Sequence, residues 1–354
     1  MKAMLLAAGL GTRLRPYTDT VPKPRLPILN VPLLHWSADL LRQAGATSLT
    51  INACYKHDQI HALAERLPGF SGTQISKEEP EPLGSGGGIR QARKWLEGGG
   101  SFLVANGDEV LLPSSPDAFA RLRGAHALED ALATIYVMRH PLVGTTFGGV
   151  WADRNGRVQG FGRGRPVGAP ATVELEPLHY VGLQILSDRV FRYLPEGKSN
   201  LLYDALAAGI AAGERVLAII DECQWHETGN ALDFLAASAA CIRGFGAPRR
   251  HFALERIARV SWPSFDVRST AELGLGGTGD WPLALERCRA DGGAAVVGDR
   301  CAVADGVRLR GACAIGDGAS LEAGAWLENC VVLPGARIPR GARLTNEIYL
   351  PEFI

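Results

Sequence analysis

Apolar and polar positions alternate in two rhythms along the first two thirds of the chain. Short runs of neighbouring apolar residues at 2–7, 49–55, 102–106, 131–138, 181–186 and 216–220 predict buried strands. Between them, apolar residues at helical spacing predict helices over 33–44, 58–67, 88–96, 187–194, 201–212 and 230–242. Regular strand–helix alternation predicts an α/β fold over residues 1–245, a three-layer Rossmann-like domain around a largely parallel sheet. Glycine and proline thicken between 145 and 177, which predicts a hairpin or lid rather than core. Residues 246–295 mix Arg, Trp, Pro and Gly without clear periodicity and read as a linker with a helix or two.

A third rhythm starts near 296. Val297, Val303, Leu309, Ile315, Leu321, Leu327 and Leu333 fall six apart. Four places after each come Cys301, Val307, Cys313, Ala319, Ala325, Val331 and Arg337, mostly small or β-branched. That period predicts a short left-handed parallel β-helix over 296–346, with three hexads to a coil and a little over two coils. The run stutters at Ile338 and resumes at Leu344, which reads as the end of the stack, leaving a tail at 347–354. A glycine-rich loop region would not repeat aliphatic residues at a fixed interval.

Composition narrows the classes. A chain of 354 residues exceeds one typical core. Its 37 basic and 37 acidic residues balance, so no face is forced to be basic and nucleic acid is not an expected partner. No apolar run approaches the roughly 18 residues of a membrane span. The first residues read as a strand, so a signal peptide is not expected there. Seven cysteines, an odd number with no CxxC, read as core thiols of a reducing compartment, so a cytoplasmic location is expected.

Candidate chemistry begins where the first strand ends. Ala7, Ala8, Gly9, Gly11, Thr12 and Arg13 lead into a proline-rich stretch in which Pro22 and Pro24 flank Lys23. Glycines let backbone N–H groups approach an anion closely. Arg13 offers a two-pronged grip on phosphate oxygens, and Lys23 a point charge that its prolines aim. A Gly-x-Gly after a strand is also what an ordinary tight turn looks like, and neither G-x-x-x-x-G-K-[ST] nor G-x-G-x-x-G is present. The longer pattern G-x-G-T-R-x-x-P-x-T-x-x-x-P-K-P-x-x-P resembles that of the sugar-1-phosphate nucleotidyltransferases, also called nucleotide-sugar pyrophosphorylases.

The resemblance implies a reaction between a nucleoside triphosphate and a sugar 1-phosphate, with pyrophosphate released and Mg²⁺ as cofactor. It places Ala7, Ala8, Gly9, Gly11 and Thr12 on the nucleotide and makes Arg13 and Lys23 catalytic. It assigns the metal to Asp108, in FLVANGDEV, and to Glu227, in QWHETGNALDFL. The first position also reads as a plain Asn-Gly turn. At the second the family usually has Asp, and Glu keeps the charge with one methylene more of reach. Gly84 and Ser85, in EPLGSGGGI, match the family's turn against the nucleobase. Upstream, Glu79 or Glu81 is placed to accept from the ring N–H that uracil, thymine and guanine offer. Around the sugar the match loosens: Gly148 and Gly182 fit, Arg165 stands roughly where the family has the lysine of E-K-P, and the glutamate is missing. His179 and His226 are assigned no role.

Within the family, overall length with a short β-helix is similar to mannose-1-phosphate guanylyltransferases, which favours GTP. Ile51-Asn52-Ala53-Cys54-Tyr55 and Ser85-Gly86-Gly87-Gly88-Ile89 are similar instead to N-acetylmuramate-1-phosphate uridylyltransferases. A non-catalytic paralogue that senses nucleotide sugars is the alternative, supported by the departures at Glu227 and Gly164 and opposed by intact Gly11, Arg13, Lys23 and Asp108. A β-helix with acyltransferase activity is disfavoured, because the hexad region from 297 to 344 has no histidine to act as base. The β-helix reads as a platform for homo-oligomerisation or allostery.

Overall fold

The structure is a computed structural model that describes residues 1–67, 69–70, 72–261, 278–279, 283–284, 287–288 and 291–351. Most of the expected linker beyond 261, and the last three residues of the expected tail, lie outside the described residues. The chain divides into two compact units, one of residues 1–10 and 37–225, the other of 11–36 and 226–354.

The first unit is built on a nine-stranded mixed sheet. Its strands are β1 (Lys2–Leu6), β2 (Ser48–Ala53), β3 (Thr73–Lys77), β4 (Ser101–Asn106), β5 (Ala133–Met138), β6 (Gly149–Asp153), β7 (Val158–Gly162), β8 (Leu175–Ser187) and β9 (Val216–Ile220). They run in the order β7-β6-β8-β4-β1-β2-β3, with β5 between β8 and β9. The pairs β1–β2, β1–β4, β2–β3 and β5–β9 are parallel, and every pairing of β8 is antiparallel. The hairpin expected between 145 and 177 is β6–β7. It draws β8 out to 13 residues, because the start of β8, Leu175–Leu178, pairs with β6.

Three layers follow from the alternation of side chains along β5. Ala133, Ile135 and Val137 face a core that includes Ile89, Leu96, Phe102 and Leu206. Tyr136 points the other way onto Phe119 of helix Ala118–Leu128, with ring centroids 5.9 Å apart. Thr134, on that same face, meets His126 Nδ1 at 3.0 Å.

The second unit carries the β-helix. Short parallel strands stack in three sheets of four, four and three strands. Three ladders fill its centre: Val297–Ile315–Val332–Tyr349, Val303–Leu321–Ile338 and Leu309–Leu327–Leu344. The period of six is therefore correct up to Leu327, but the stutter was misplaced. Val332 rather than Leu333 continues the ladder, and Ile338 is in step with it.

The physical cause of the stutter is one corner. Gly311 and Ala312 are faced in the next coil by the single residue Asn329, whose Oδ1 accepts from Ala312 N at 3.0 Å. Asn329 and Asn346 both take left-handed φ there and pair side chain to side chain at 3.2 Å, which tightens the later turns by one residue. The described strand Thr278–Gly279 pairs parallel with Ala302–Val303, so one sheet also takes a strand from the segment that looked like a linker. Helix Ala231–Gly246 packs on strands Ala294–Val297 and Ala312–Ile315. The N-terminal excursion docks in the same unit through Asn30 Nδ2, which donates to Ile315 O at 2.8 Å. No disulfide joins the seven cysteines. Among the described residues no helix is long and apolar enough to cross a membrane.

Candidate active site

In the first unit, β1 and β4 lie side by side in parallel register with Leu6 opposite Asn106, so they end together. Gly107 N donates to Leu6 O at 2.8 Å, and a Cβ on Gly107 would lie 2.8 Å from that same oxygen. Only glycine allows so close an approach. Ala7, Ala8 and Gly9 leave one strand end, and half-buried Asp108 leaves the other. This is the carboxyl edge of parallel strands, where open α/β sheets bind ligands. Gly9 is exposed, with open space where a side chain would stand.

The glycine-rich turn is docked rather than free. Gly84 has φ +73°, and a Cβ there would lie 2.5 Å from Ser199 O. Ser85 Oγ accepts from Leu201 N at 2.9 Å. The helix starts at this turn, four residues earlier than the sequence suggested, and breaks at Ala92. Of the two glutamates considered for the base, Glu79 pairs with Lys77 at 2.6 Å and Glu81 with Lys198 at 3.1 Å, both on the surface. The buried carboxylate is their neighbour Glu78, which sequence reasoning passed over.

Around the expected sugar position, a Cβ on Gly148 would run into Tyr203 Oη. Gly182, at φ +78°, sits in the register break of β8 between Tyr180 and Gln184, and a Cβ there would run into Glu109 Oε2. Glu109 also accepts from Asn106 Nδ2 at 3.0 Å and from Trp225 Nε1 at 3.1 Å. His179 is enclosed by aromatic rings, with centroids 4.3 Å from Trp225 and 4.7 Å from Phe147, and by His140 at 5.4 Å. Burial, with a smaller push from His140, lowers the His179 imidazole to about 4. Neither of its ring nitrogens meets a hydrogen-bond partner among the described residues. Glu109 and Trp225 lie beside motif residues, which was the signal available for them; nothing local marks His179. Arg165, expected on the sugar phosphate, donates from Nη2 to Pro170 O and Val173 O of its own loop, each at 2.7 Å.

In the second unit, Gly11 at φ +65° opens the turn Thr12–Leu14. A Cβ on Gly11 would lie 3.0 Å from Thr18 Cγ2 and 3.3 Å from Lys23 Cβ. Thr18 Oγ1 locks the loop by donating to Gly11 O at 2.8 Å. Lys23 is buried in the turn Lys23–Arg25 behind an extended Pro22, so the prolines do shape its backbone. Arg13 Nη1 lies 3.4 Å from Glu227 Oε1. Gly229 leaves room for this pair, because a Cβ there would be 2.5 Å from Glu227 Oε1 and 2.8 Å from Arg13 Nη2.

Among the described residues no three His, Cys, Asp or Glu side chains gather as a metal cage. Magnesium does not require one. It keeps several waters and takes one or two carboxylates together with substrate phosphates. Asp108, half-buried in the first unit, and Glu227, partly exposed in the second, each carry hard carboxylate oxygens of the type magnesium takes.

Residues 2–243 match the family model described as nucleotidyl transferase. The chain is 28% identical over 368 residues to the UTP–glucose-1-phosphate uridylyltransferase of Synechocystis sp., an alignment covering 100% of this chain and 88% of that one. It is 29% identical over 345 residues to the mannose-1-phosphate guanylyltransferase of Mycobacterium tuberculosis, covering 96% and 81%. The crystal structure of HddC from Yersinia pseudotuberculosis complexed with GMP-PN superposes with a TM-score of 0.53 at 24% identity, covering 68% of this chain and 98% of that one. That likeness speaks to the fold.

Proposed function

The chain belongs to the nucleotidyl transferase family, and from that premise we propose that it transfers the nucleotidyl group of a nucleoside triphosphate to a sugar 1-phosphate. A sugar phosphate oxygen attacks the α-phosphorus in line, the P–O bond to the β-phosphate breaks, and pyrophosphate leaves. Such a reaction asks for alignment and charge neutralisation rather than a protein nucleophile. The observation that carries the reading is the shared end of β1 and β4, from which Ala7–Ala8–Gly9 and Asp108 leave together.

In this reading the N–H groups of Gly9, Gly11 and Thr12, with Arg13, hold the departing phosphates, and Lys23 stabilises charge at the α-phosphate and the incoming sugar phosphate. Gly84 and Ser85 hold the base, and Gly148, Gly182 and Arg165 border the sugar. Asp108 and Glu227 would hold Mg²⁺, which when bound would neutralise charge on the triphosphate. Arg13 is 69% exposed, so its pair with Glu227 is worth no more than about 1 kcal/mol and is readily exchanged for phosphate.

A catalytic domain followed by a short β-helix favours GTP and mannose 1-phosphate. The second reading is uridylyl transfer to a sugar like N-acetylmuramate 1-phosphate, and the relative named for UTP and glucose 1-phosphate supports its uridylyl part. The deciding assay is pyrophosphate release with Mg²⁺, crossing GTP, UTP, dTTP, ATP and CTP against a panel of sugar 1-phosphates. One nucleotide and one sugar should give turnover, and Asp108→Ala or Lys23→Ala should each cost about 100-fold or more in kcat. Folded protein that turns over no pair would overturn the proposal.

A further inference from the structure

The Asn of the second-strand motif and the third glycine of the GGG run are left unused by the catalytic reading, and they meet. Ala7 N, the first amide beyond β1, donates to Asn52 Oδ1 at 2.7 Å. That amide is a fixed donor, so Asn52 must turn its carbonyl toward it and its NH₂ away. The NH₂ donates to Glu78 Oε1 at 2.7 Å, and Glu78 Oε2 accepts from Leu83 N at 2.7 Å. Leu83 immediately precedes Gly84 and Ser85. A continuous line of hydrogen bonds therefore joins the backbone where the phosphate loop begins to the backbone where the base turn begins.

Both side chains are buried, Asn52 at 3% exposure and Glu78 at 0%. Gly88 makes the space: a Cβ on it would lie 2.5 Å from Glu78 Oε1 and 2.7 Å from Asn52 Nδ2. For stability alone a buried carboxylate is a poor choice, since apolar residues of similar volume often do as well or better. Its merit is geometry, because each oxygen accepts from one defined donor and the spacing between the two loops is then set.

We infer that Asn52 and Glu78 are positioning residues that set the phosphate loop and the base turn at the spacing a nucleoside triphosphate requires, with Gly88 kept bare to admit them. The inference rests on the nucleotidyl transfer reading. It separates from that reading because nucleotide affinity can be measured without turnover.

The test uses Asn52→Asp, Glu78→Gln, the double exchange and Gly88→Ala in the full chain. Asn52→Asp sets two carboxylates face to face, and Glu78→Gln sets an NH₂ against another donor. In the double exchange the carboxylate at 52 accepts from Ala7 N and from the carboxamide at 78, whose oxygen accepts from Leu83 N, so every bond is restored. Each single variant and Gly88→Ala should raise both the KM and the calorimetric Kd for the nucleoside triphosphate about tenfold or more, a cost typical of leaving buried polar groups mismatched. The KM for the sugar 1-phosphate should stay within about threefold, and the double exchange should return nucleotide affinity to within about threefold of the parent chain.

A merely structural bridge would lower the melting temperature without this split. Folded single variants with unchanged nucleotide affinity, or a folded double exchange as impaired as the worse single, would overturn the inference. Should the single variants not fold, the double exchange and Gly88→Ala decide by the same criterion. If the parent chain turns over no substrate pair, the functional reading fails, and the Kd series still decides the bridge.

Discussion

Gly9 and Gly11 look alike in the sequence and differ in what the backbone asks of them. Gly11 is left-handed, and Thr18 Cγ2 lies only 3.0 Å from the place of a Cβ, closer than van der Waals contact, whereas Gly9 faces open space with no positive φ. Gly11→Ala should therefore lose about 1–2 kcal/mol of stability from the left-handed penalty. Gly9→Ala should leave stability within about 0.5 kcal/mol, and urea unfolding of the two compares them directly. Equal losses would refute the distinction. His179 makes a second prediction at this scale. Its folded pKa is about 4 against an ordinary 6.5, so between those values the unfolded chain binds a proton that the folded chain refuses. Stability contributed by the neutral ring is present above pH 6.5 and is lost as pH falls toward 4. His126, also lowered to about 4 by burial, acts in the same sense. His179→Phe should remove about one proton's worth of the slope between pH 7 and 5 and leave the rest; parallel losses in variant and parent would exclude the mechanism.

Elements were legible where their hydrophobic signal was strong and local. The helix starting near 230 is an example: Asn230 Oδ1 accepts from Asp233 N at 3.0 Å and caps Ala231–Gly246. Asn230→Ala should cost about 1 kcal/mol in chemical denaturation, while Asn230→Ser or Asn230→Asp should hold most of it. If all three behave alike, the cap contributes nothing. Strand Thr73–Lys77 went unseen because it lies at the sheet edge and buries only Ser76, so its apolar signal is almost nil. Helix Ala118–Leu128 went unseen because its Ala-rich sequence, with Gly124 inside it, gives a weak amphipathic period. The stretches expected as helices at 187–194 and 201–212 are a 3₁₀ turn over Asp188–Arg192 and a wide π turn over Leu201–Leu206 that continues as α over Ala207–Ala211. Hydrophobic spacing does not resolve which of these helical hydrogen-bond patterns forms.

At the scale of the molecule, the division of the chain ignores its linear order. Residues 11–36, read as part of the first domain, group with the β-helix and the helix that packs on it. Association of copies through the β-helix is proposed on its regular strand stack, and equilibrium sedimentation at micromolar concentration should return a multiple of the 37.8 kDa chain mass. A single species at that mass would remove the proposal. The family, the α/β class and the period of six as far as Leu327 were determined by the sequence itself, and the motif residues proposed for the site were legible there, because each is written in near neighbours: periods of two, 3.6 and six, and turns that only glycine or proline can make. The tertiary structure alone decided that Glu78 rather than Glu79 is buried, that Glu227 reaches Arg13, that rings enclose His179, and that Asn329 shortens a coil. Those outcomes depend on residues far apart in the chain arriving at one place, and a side chain's neighbours across such distances are set by packing rather than by its own segment.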